Sequence, residues 1–425
     1  MVLLRAAFLG AVCVFVAATV SATPHQGAPP VPLSPPPALQ AALRDLWARS
    51  PQVQVADAQL RAAQARARAA AQPLYNPSVQ LEGENADVDR RTAGASLALD
   101  LFGKRRARVV EGDADVRAKE AAYTLERRNV AVEWLKAWAG AALAREQSEL
   151  GRRRVALMRR FDELAAQRLK VGDISSPERD LAGLALGEAQ IQQASLASQE
   201  ASALAALAIV GVDAESATLP GLPPIMPPGA EMIVPVPLTE RPELLQAQAE
   251  QDRAEAGVIV AQRGRRPDPT VSLTGGSVRS GTRTDRVVGL SVSIPLPVLN
   301  SGRAEIAAAQ ADADAAFASR RATTLRSDAV LKQAQVTYAA LRSATESFRL
   351  SRANAFDERA QTLERLWQAG EIGSSDYLVQ LKQSLDTALS GLALESQTWQ
   401  AWFDYLAAAG RLTDWIDGPS KDMSR

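Results

Sequence analysis

Asn76-Pro77-Ser78-Val79-Gln80-Leu81 opens the stretch that decides the fold, followed by a polar turn and Gly94-Ala95-Ser96-Leu97-Ala98-Leu99-Asp100-Leu101. A very long helical pattern follows and ends at Val171-Gly172-Asp173-Ile174-Ser175. The same order recurs later in the chain. Asp268-Pro269-Thr270-Val271-Ser272-Leu273 precedes Gly289-Leu290-Ser291-Val292-Ser293-Ile294-Pro295-Leu296, and a second long helical run ends at Ala369-Gly370-Glu371-Ile372-Gly373. A repeat this long indicates duplication of a structural half rather than a solenoid.

In all four strand candidates apolar residues alternate with small or polar ones, the period of two expected where opposite faces meet different surroundings. The strands are expected at about 77–101 and 269–296. Asn85 to Arg91 and Gly275 to Arg286 read as hairpin loops, the second because of Gly275-Gly276 and Gly281.

The helical runs, about 104–171 and 303–369, contain no proline; each would be about 100 Å long at the α-helical rise. Only a partner alongside buries the apolar stripe of so long a helix. Leu143, Leu150, Leu157 and Leu164 fall on a seven-residue spacing, as do Leu341, Phe348 and Ala355, which implies a left-handed coiled coil. The partners are in the same chain: return helices at about 177–210 and 375–409, and shorter helices at about 51–72 and 242–263. The expected fold is therefore mainly α with a small β portion. Strands lie at one end of a bundle and helix turns at the other.

Aromatics make up only 5% of the 425 residues and the formal net charge is zero, which gives no electrostatic pull toward nucleic acid. Arg5 followed by the apolar run Ala6–Val20 and by Ser21-Ala22 reads as a secretory signal peptide over 1–22. Residues 23–37 form a Pro-rich lead-in. The single cysteine, Cys13, lies inside the signal, so the exported chain is expected to carry no thiol or disulfide, and Val12 before it is too large for a typical lipoprotein cleavage site, so no lipid anchor is expected. Residues 38–210 and 241–410 are the two repeats, 211–240 is a linker packed at the middle of the bundle, and 411–425 is the tail. No later stretch is apolar enough to span a bilayer as a helix, so membrane entry must be by β-strands. Four strands cannot close a barrel alone, and open edges in lipid leave backbone groups unsatisfied, so copies of the chain must pool their strands.

The duplicated plan of short helix, Asn-Pro or Asp-Pro before a strand, hairpin, Gly103-Lys104-Arg105-Arg106-Ala107-Arg108-Val109 or Ser301-Gly302-Arg303-Ala304-Glu305-Ile306, long helix and Gly-x-Ile turn resembles the TolC-type outer-membrane efflux family. Gly103-Lys104-Arg105-Arg106 and Ile294-Pro295-Leu296-Pro297 are similar to its heavy-metal branch, which serves cobalt-zinc-cadmium or copper exporters. The resemblance implies an outer-membrane homotrimer with a twelve-stranded barrel and a periplasmic α-helical tunnel. It also implies a periplasmic adaptor and an inner-membrane proton-driven pump as partners, and a passive conduit for heavy-metal cations. A drug channel of the same family and a periplasmic adaptor are the competing readings; the adaptor would have one helical hairpin, not two.

By family position, the two turns form the periplasmic aperture and adaptor contact, with Gly172, Asp173, Gly370 and Glu371 in the turns and Asp180 and Asp376 just inside the return helices. Plain loop chemistry explains the same residues, since Gly ends helices and acids suit the start of the next. Lys104, Arg105, Arg106, Arg265 and Arg266 fall where helix meets strand and read as a membrane-interface cluster whose charges reach lipid headgroups. Tyr75 and Phe102 are the best girdle aromatics, and Arg152-Arg153-Arg154 reads as a solvated helix face. His25 is the only histidine and Gly275-Gly276 lacks the Lys of a phosphate loop, so neither catalysis, a cofactor nor a resident metal is expected.

Overall fold

Prolines and hydroxyls punctuate the helices. Helix α1 (Pro37–Arg49) starts on a proline, and α2 (Pro51–Ala70) does so after Ser50, whose Oγ accepts from the N–H of Val53. Strands β1 (Ser78–Glu84) and β2 (Val88–Ala98) lead into α3 (Lys104–Lys170), 67 residues in one helix, and α4 (Ser176–Ile209) returns beside it. The second half repeats the plan with α5 (Pro242–Gly264), β3 (Thr270–Ser280) and β4 (Arg283–Ser293). There follow α6 (Arg303–Leu350), α7 (Phe356–Gln368), α8 (Ser374–Ala408) and the short α9 (Leu412–Asp417). The computed structural model describes residues 35–85, 87–210, 221–351 and 356–417. The expected signal peptide and the lead-in up to 34 lie outside the described residues, as do 211–220 of the linker, heptad residue Ala355 and the tail from 418.

The four strands form one antiparallel sheet in chain order, so β2 of the first half pairs with β3 of the second and leaves β1 and β4 as open edges. Two expectations are corrected here. Gly275–Arg286 is not a loop: β3 runs to Ser280 and the turn is only Gly281-Thr282, with Gly281 in the left-handed region. Gly276 lies mid-strand because a Cβ there would strike the Arg91 carbonyl of β2, so glycine permits the strands' approach. Likewise β2 already begins at Val88, inside the expected first loop.

The second long helix is not continuous from 303 to 369. It ends at Leu350, where the N–H of Ser351 bonds the carbonyls of Ser347 and Phe348 and its Oγ donates to Phe348 O, and helix resumes at Phe356.

Two cores organise the helices. At the waist, Leu39, Leu43 and Leu46 of α1 pack with Trp134 and Trp138 of α3, Tyr338 of α6, Trp402 and Tyr405 of α8 and Trp415 of α9. The second core, toward the helix turns, joins Phe161, Trp367, Tyr377, Leu363 and Leu381. Along α3 the deepest line is Leu150, Arg154, Met158, Phe161 and Ala165, while Leu143, Leu157 and Leu164 of the heptad flank it half-buried. Arg154 is thus no part of a solvated face: it is buried and donates to Gln192 of α4.

The Pro-rich linker is strapped to the waist through its carbonyls, which proline leaves free for side chains. Arg349 donates to Pro224 O (2.6 Å), Arg342 to Pro227 O (3.1 Å), Tyr338 to Pro228 O (2.6 Å) and Tyr405 to Ala230 O (3.0 Å).

Candidate functional site

Directly paired residues share a sheet face, so the register sorts the strands into two surfaces. One carries the row Val79, Ala95, Leu273 and Leu290, the row Leu81, Ala93, Gly275 and Val288, and the shorter row Leu97, Val271 and Val292. Leu81 and Val288 are 81% and 82% exposed, so this apolar surface has no cover within the chain. The other carries Ser78, Ser96, Ser272 and Ser291 in one row, then Gln80, Gly94, Thr274 and Gly289. Ser78 and Ser96 share a hydrogen bond of 2.6 Å. One side suits a hydrocarbon environment and the other water.

Where sheet meets helices, both halves build a collar. Asp268, buried before β3, accepts from Tyr75 OH at 2.6 Å and ion-pairs with Lys104 Nζ at 2.9 Å. That hydrogen bond, with burial and the charges of Asp268 and Asp100 added, pushes the Tyr75 phenol up to about 12. Lys104 therefore points into the collar, not toward headgroups, because its partner lies in the other half of the chain. Asp100 caps α3, accepting from the N–H groups of Lys104 and Arg105, each at 2.8 Å. Burial raises its pKa, but backbone donors from Phe102 to Arg105 outweigh that and leave the carboxyl below its usual range. Arg105 Nε donates to Ala71 O, Arg263 to Phe102 O, and the Arg266 guanidinium lies over the Phe102 ring at 5.4 Å. Arg106 and Arg265 are exposed on the same collar. Tyr75 and Phe102 thus serve as collar partners here.

At the opposite end the two turns have the same hydrogen-bond pattern. Gly172 and Gly370 adopt φ of 80° and 76°; their N–H groups bond Leu169 O and Trp367 O, and those of Asp173 and Glu371 bond Arg168 O and Leu366 O. This paired closure needs a left-handed residue, hence glycine. Ile174 and Ile372 then fold back onto the second core, which explains the Gly-x-Ile spacing. Asp173, Asp180, Glu371 and Asp376 are all exposed, and none makes a side-chain ion pair among the described residues. In the first turn Ser175 N–H and Oγ donate to Glu178, lowering its pKa. In the second, Trp367 Nε1 donates to Ser374 Oγ at 3.1 Å inside the core.

Sequence reasoning missed Arg168, which ties the two turns together. Its guanidinium stacks over Trp367 at 4.7 Å and donates to Gln368 O at 2.7 Å. The available signal was a basic residue in the last helical turn, which is common. Asp268 enters the sequence pattern only as the Asp-Pro before a strand.

Among the described residues no His, Cys, Asp and Glu cluster has metal-binding geometry, and no helix is long and apolar enough to cross a membrane. Residues 42–210 and 236–411 match the family model described as outer membrane efflux protein. The cobalt-zinc-cadmium resistance protein CzcC of Cupriavidus metallidurans is 24% identical over 339 residues, 78% of this chain and 80% of that protein. The nickel-cobalt-cadmium resistance protein NccC of Alcaligenes xylosoxydans xylosoxydans is 28% identical over 269 residues, 60% of each chain. The outer-membrane channel OprN superposes with a TM-score of 0.72 at 20% identity, over 90% of this chain and 91% of OprN, and shares its fold.

Proposed function

Because this chain belongs to the outer membrane efflux protein family, we propose that it is the channel subunit of a tripartite efflux system and exports heavy-metal cations by passive conduction. The observation that carries the reading is the sheet. Its apolar face is uncovered, its serine-rich face is opposite, and both edges are open, a geometry completed when three copies close a twelve-stranded barrel edge to edge. The long helices then continue the barrel as a periplasmic tunnel, reached by export through the signal at 1–22. Cobalt, zinc and cadmium are the favoured cargo on the strength of the likeness to CzcC and NccC.

The two turns form the far aperture and the dock for a periplasmic adaptor, which links the channel to a proton-driven inner-membrane pump. There the exposed Asp173 and Glu371, with Asp180 and Asp376 behind them, form rings of carboxylates that narrow the passage. Membrane fractionation and planar bilayers test this reading. The protein should sediment with outer membranes as a heat-modifiable trimer, and Asp173→Ala with Glu371→Ala should raise single-channel conductance. Recovery in the soluble periplasm would refute the channel, and unchanged conductance would remove these acids from the constriction. A host lacking the gene should lose cobalt, zinc or cadmium tolerance; lost drug tolerance alone would reassign the cargo.

A further inference from the structure

The register that removed the expected loop at 275–286 also aligns residues which the sequence keeps far apart. One row across all four strands reads Gly83, Arg91, Ser277 and Arg286. It lies on the apolar face, directly beyond the row Leu81, Ala93, Gly275 and Val288, on the side of the hairpin turns and away from the helices. Arg91 and Arg286 stand two strands apart, about 10 Å, and between and beside them are only small side chains. The result is a shallow hollow of about 680 Å³ whose lining includes Gly83, Arg91, Gly275, Ser277 and Arg286.

The charge in this hollow is one-sided. Glu82 also lines the hollow, but alternation turns its carboxylate, with those of Glu84 and Asp285, to the opposite face, where Glu82 accepts from Thr92 Oγ1 at 3.2 Å. The next row outward adds Arg279 and one acid, Asp89, which holds Arg91 only loosely at 3.5 Å. Three arginines thus face one aspartate where the apolar surface ends.

We propose that Arg91 and Arg286 form a docking site for the phosphate groups of a phosphorylated glycolipid in the outer leaflet, with the glycines and Ser277 making room for the headgroup. Guanidinium suits this task because its planar fork binds phosphate oxygens in pairs and it sheds water more readily than an ammonium. The site rests on the barrel reading above, since only a membrane-inserted sheet presents this face to lipid.

The full-length trimer is reconstituted in phosphatidylcholine nanodiscs containing bis-phosphorylated lipid A or the same glycolipid with its phosphates removed, and glycolipid retained per trimer is counted by native mass spectrometry. The wild type should retain the phosphorylated form and release the dephosphorylated one. Arg91→Gln with Arg286→Gln should cut retention about tenfold, with trimer migration and conductance unchanged, and Asp89→Asn should increase it. Equal retention by wild type and the double variant, or equal retention of both glycolipids, overturns the site while the channel stands. A wild type that forms no conducting trimer overturns the channel reading, and the site with it.

Discussion

Helix α3 of the first half and α6 of the second occupy matching places in the repeat but are buried differently. The former hides Trp134, Leu135 and Trp138 almost completely, and among its large apolar side chains leaves only Val110 and Leu169 exposed. By contrast α6 exposes Phe317, Leu325, Val330, Val336 and Leu350 and buries only Leu331 and Tyr338 among such residues. A helix surrounded by α2, α5, α4 and α8 finds its cover within one chain. The other needs cover from outside it, and the exposed Leu184 and Ile191 of α4 show a similar need. The duplication has thus divided labour: the first long helix organises the protomer, and the second leaves an apolar face free for the proposed tube.

The most damaging test of this contrast is Trp134→Ala. Emptying a fully buried indole site in α3 should cost about 3–5 kcal/mol, read as a lower denaturation midpoint of the monomer itself. A monomer as stable as wild type would end the claim that α3 is the internal column. On α6, Leu325→Ser with Val336→Ser should leave monomer folding intact but lower the temperature at which trimers dissociate, by an amount reflecting about 1.5–3 kcal/mol per buried side chain. If the trimer is unmoved, the α6 face is not a seam.

At the turns the halves should behave alike. Gly172→Ala and Gly370→Ala each force a side chain into the left-handed region, at about 1–2 kcal/mol apiece. A large difference between the two midpoints would show that the second core, not the backbone, decides the cost.

The smallest expected effect concerns the collar. The folded pKa of Tyr75 lies above its unfolded value, so its contribution is complete below pH 10 and fades as pH rises toward about 12. Tyr75→Phe should lower neutral-pH stability modestly, because the buried Asp268 loses a donor, and should flatten the alkaline loss because that contribution is already gone. An unaltered alkaline slope would exclude Tyr75 as its source.

Much of this plan is legible in the sequence, because alternation, heptad spacing and Gly-x-Ile turns are local patterns with local causes. What escaped depends on a residue from the other half. The pair Gly275-Gly276 carries the local chemistry of a turn, yet its place is set by the Arg91 carbonyl on β2. Lys104 belongs to a basic cluster in sequence but pairs with Asp268. Within Arg152-Arg153-Arg154, helical geometry turns one guanidinium toward α4 and leaves its neighbours half in water. Asp173 and Glu371 were legible as turn residues and Asp180 and Asp376 as helix-start residues, and the aperture role proposed for them depends on copies that one chain does not contain.

The open edges at β1 and β4 also bear on the time course of assembly. Before its strands find neighbours, each chain carries two unpaired ladders and an uncovered apolar face, a template for mispairing as much as for closure. On the proposed trimeric barrel, closure needs three such chains together, so its rate should rise steeply with their local concentration, whereas the helices of each chain can form without waiting. On that reading the sheet is the concentration-dependent step of assembly and the helices are not.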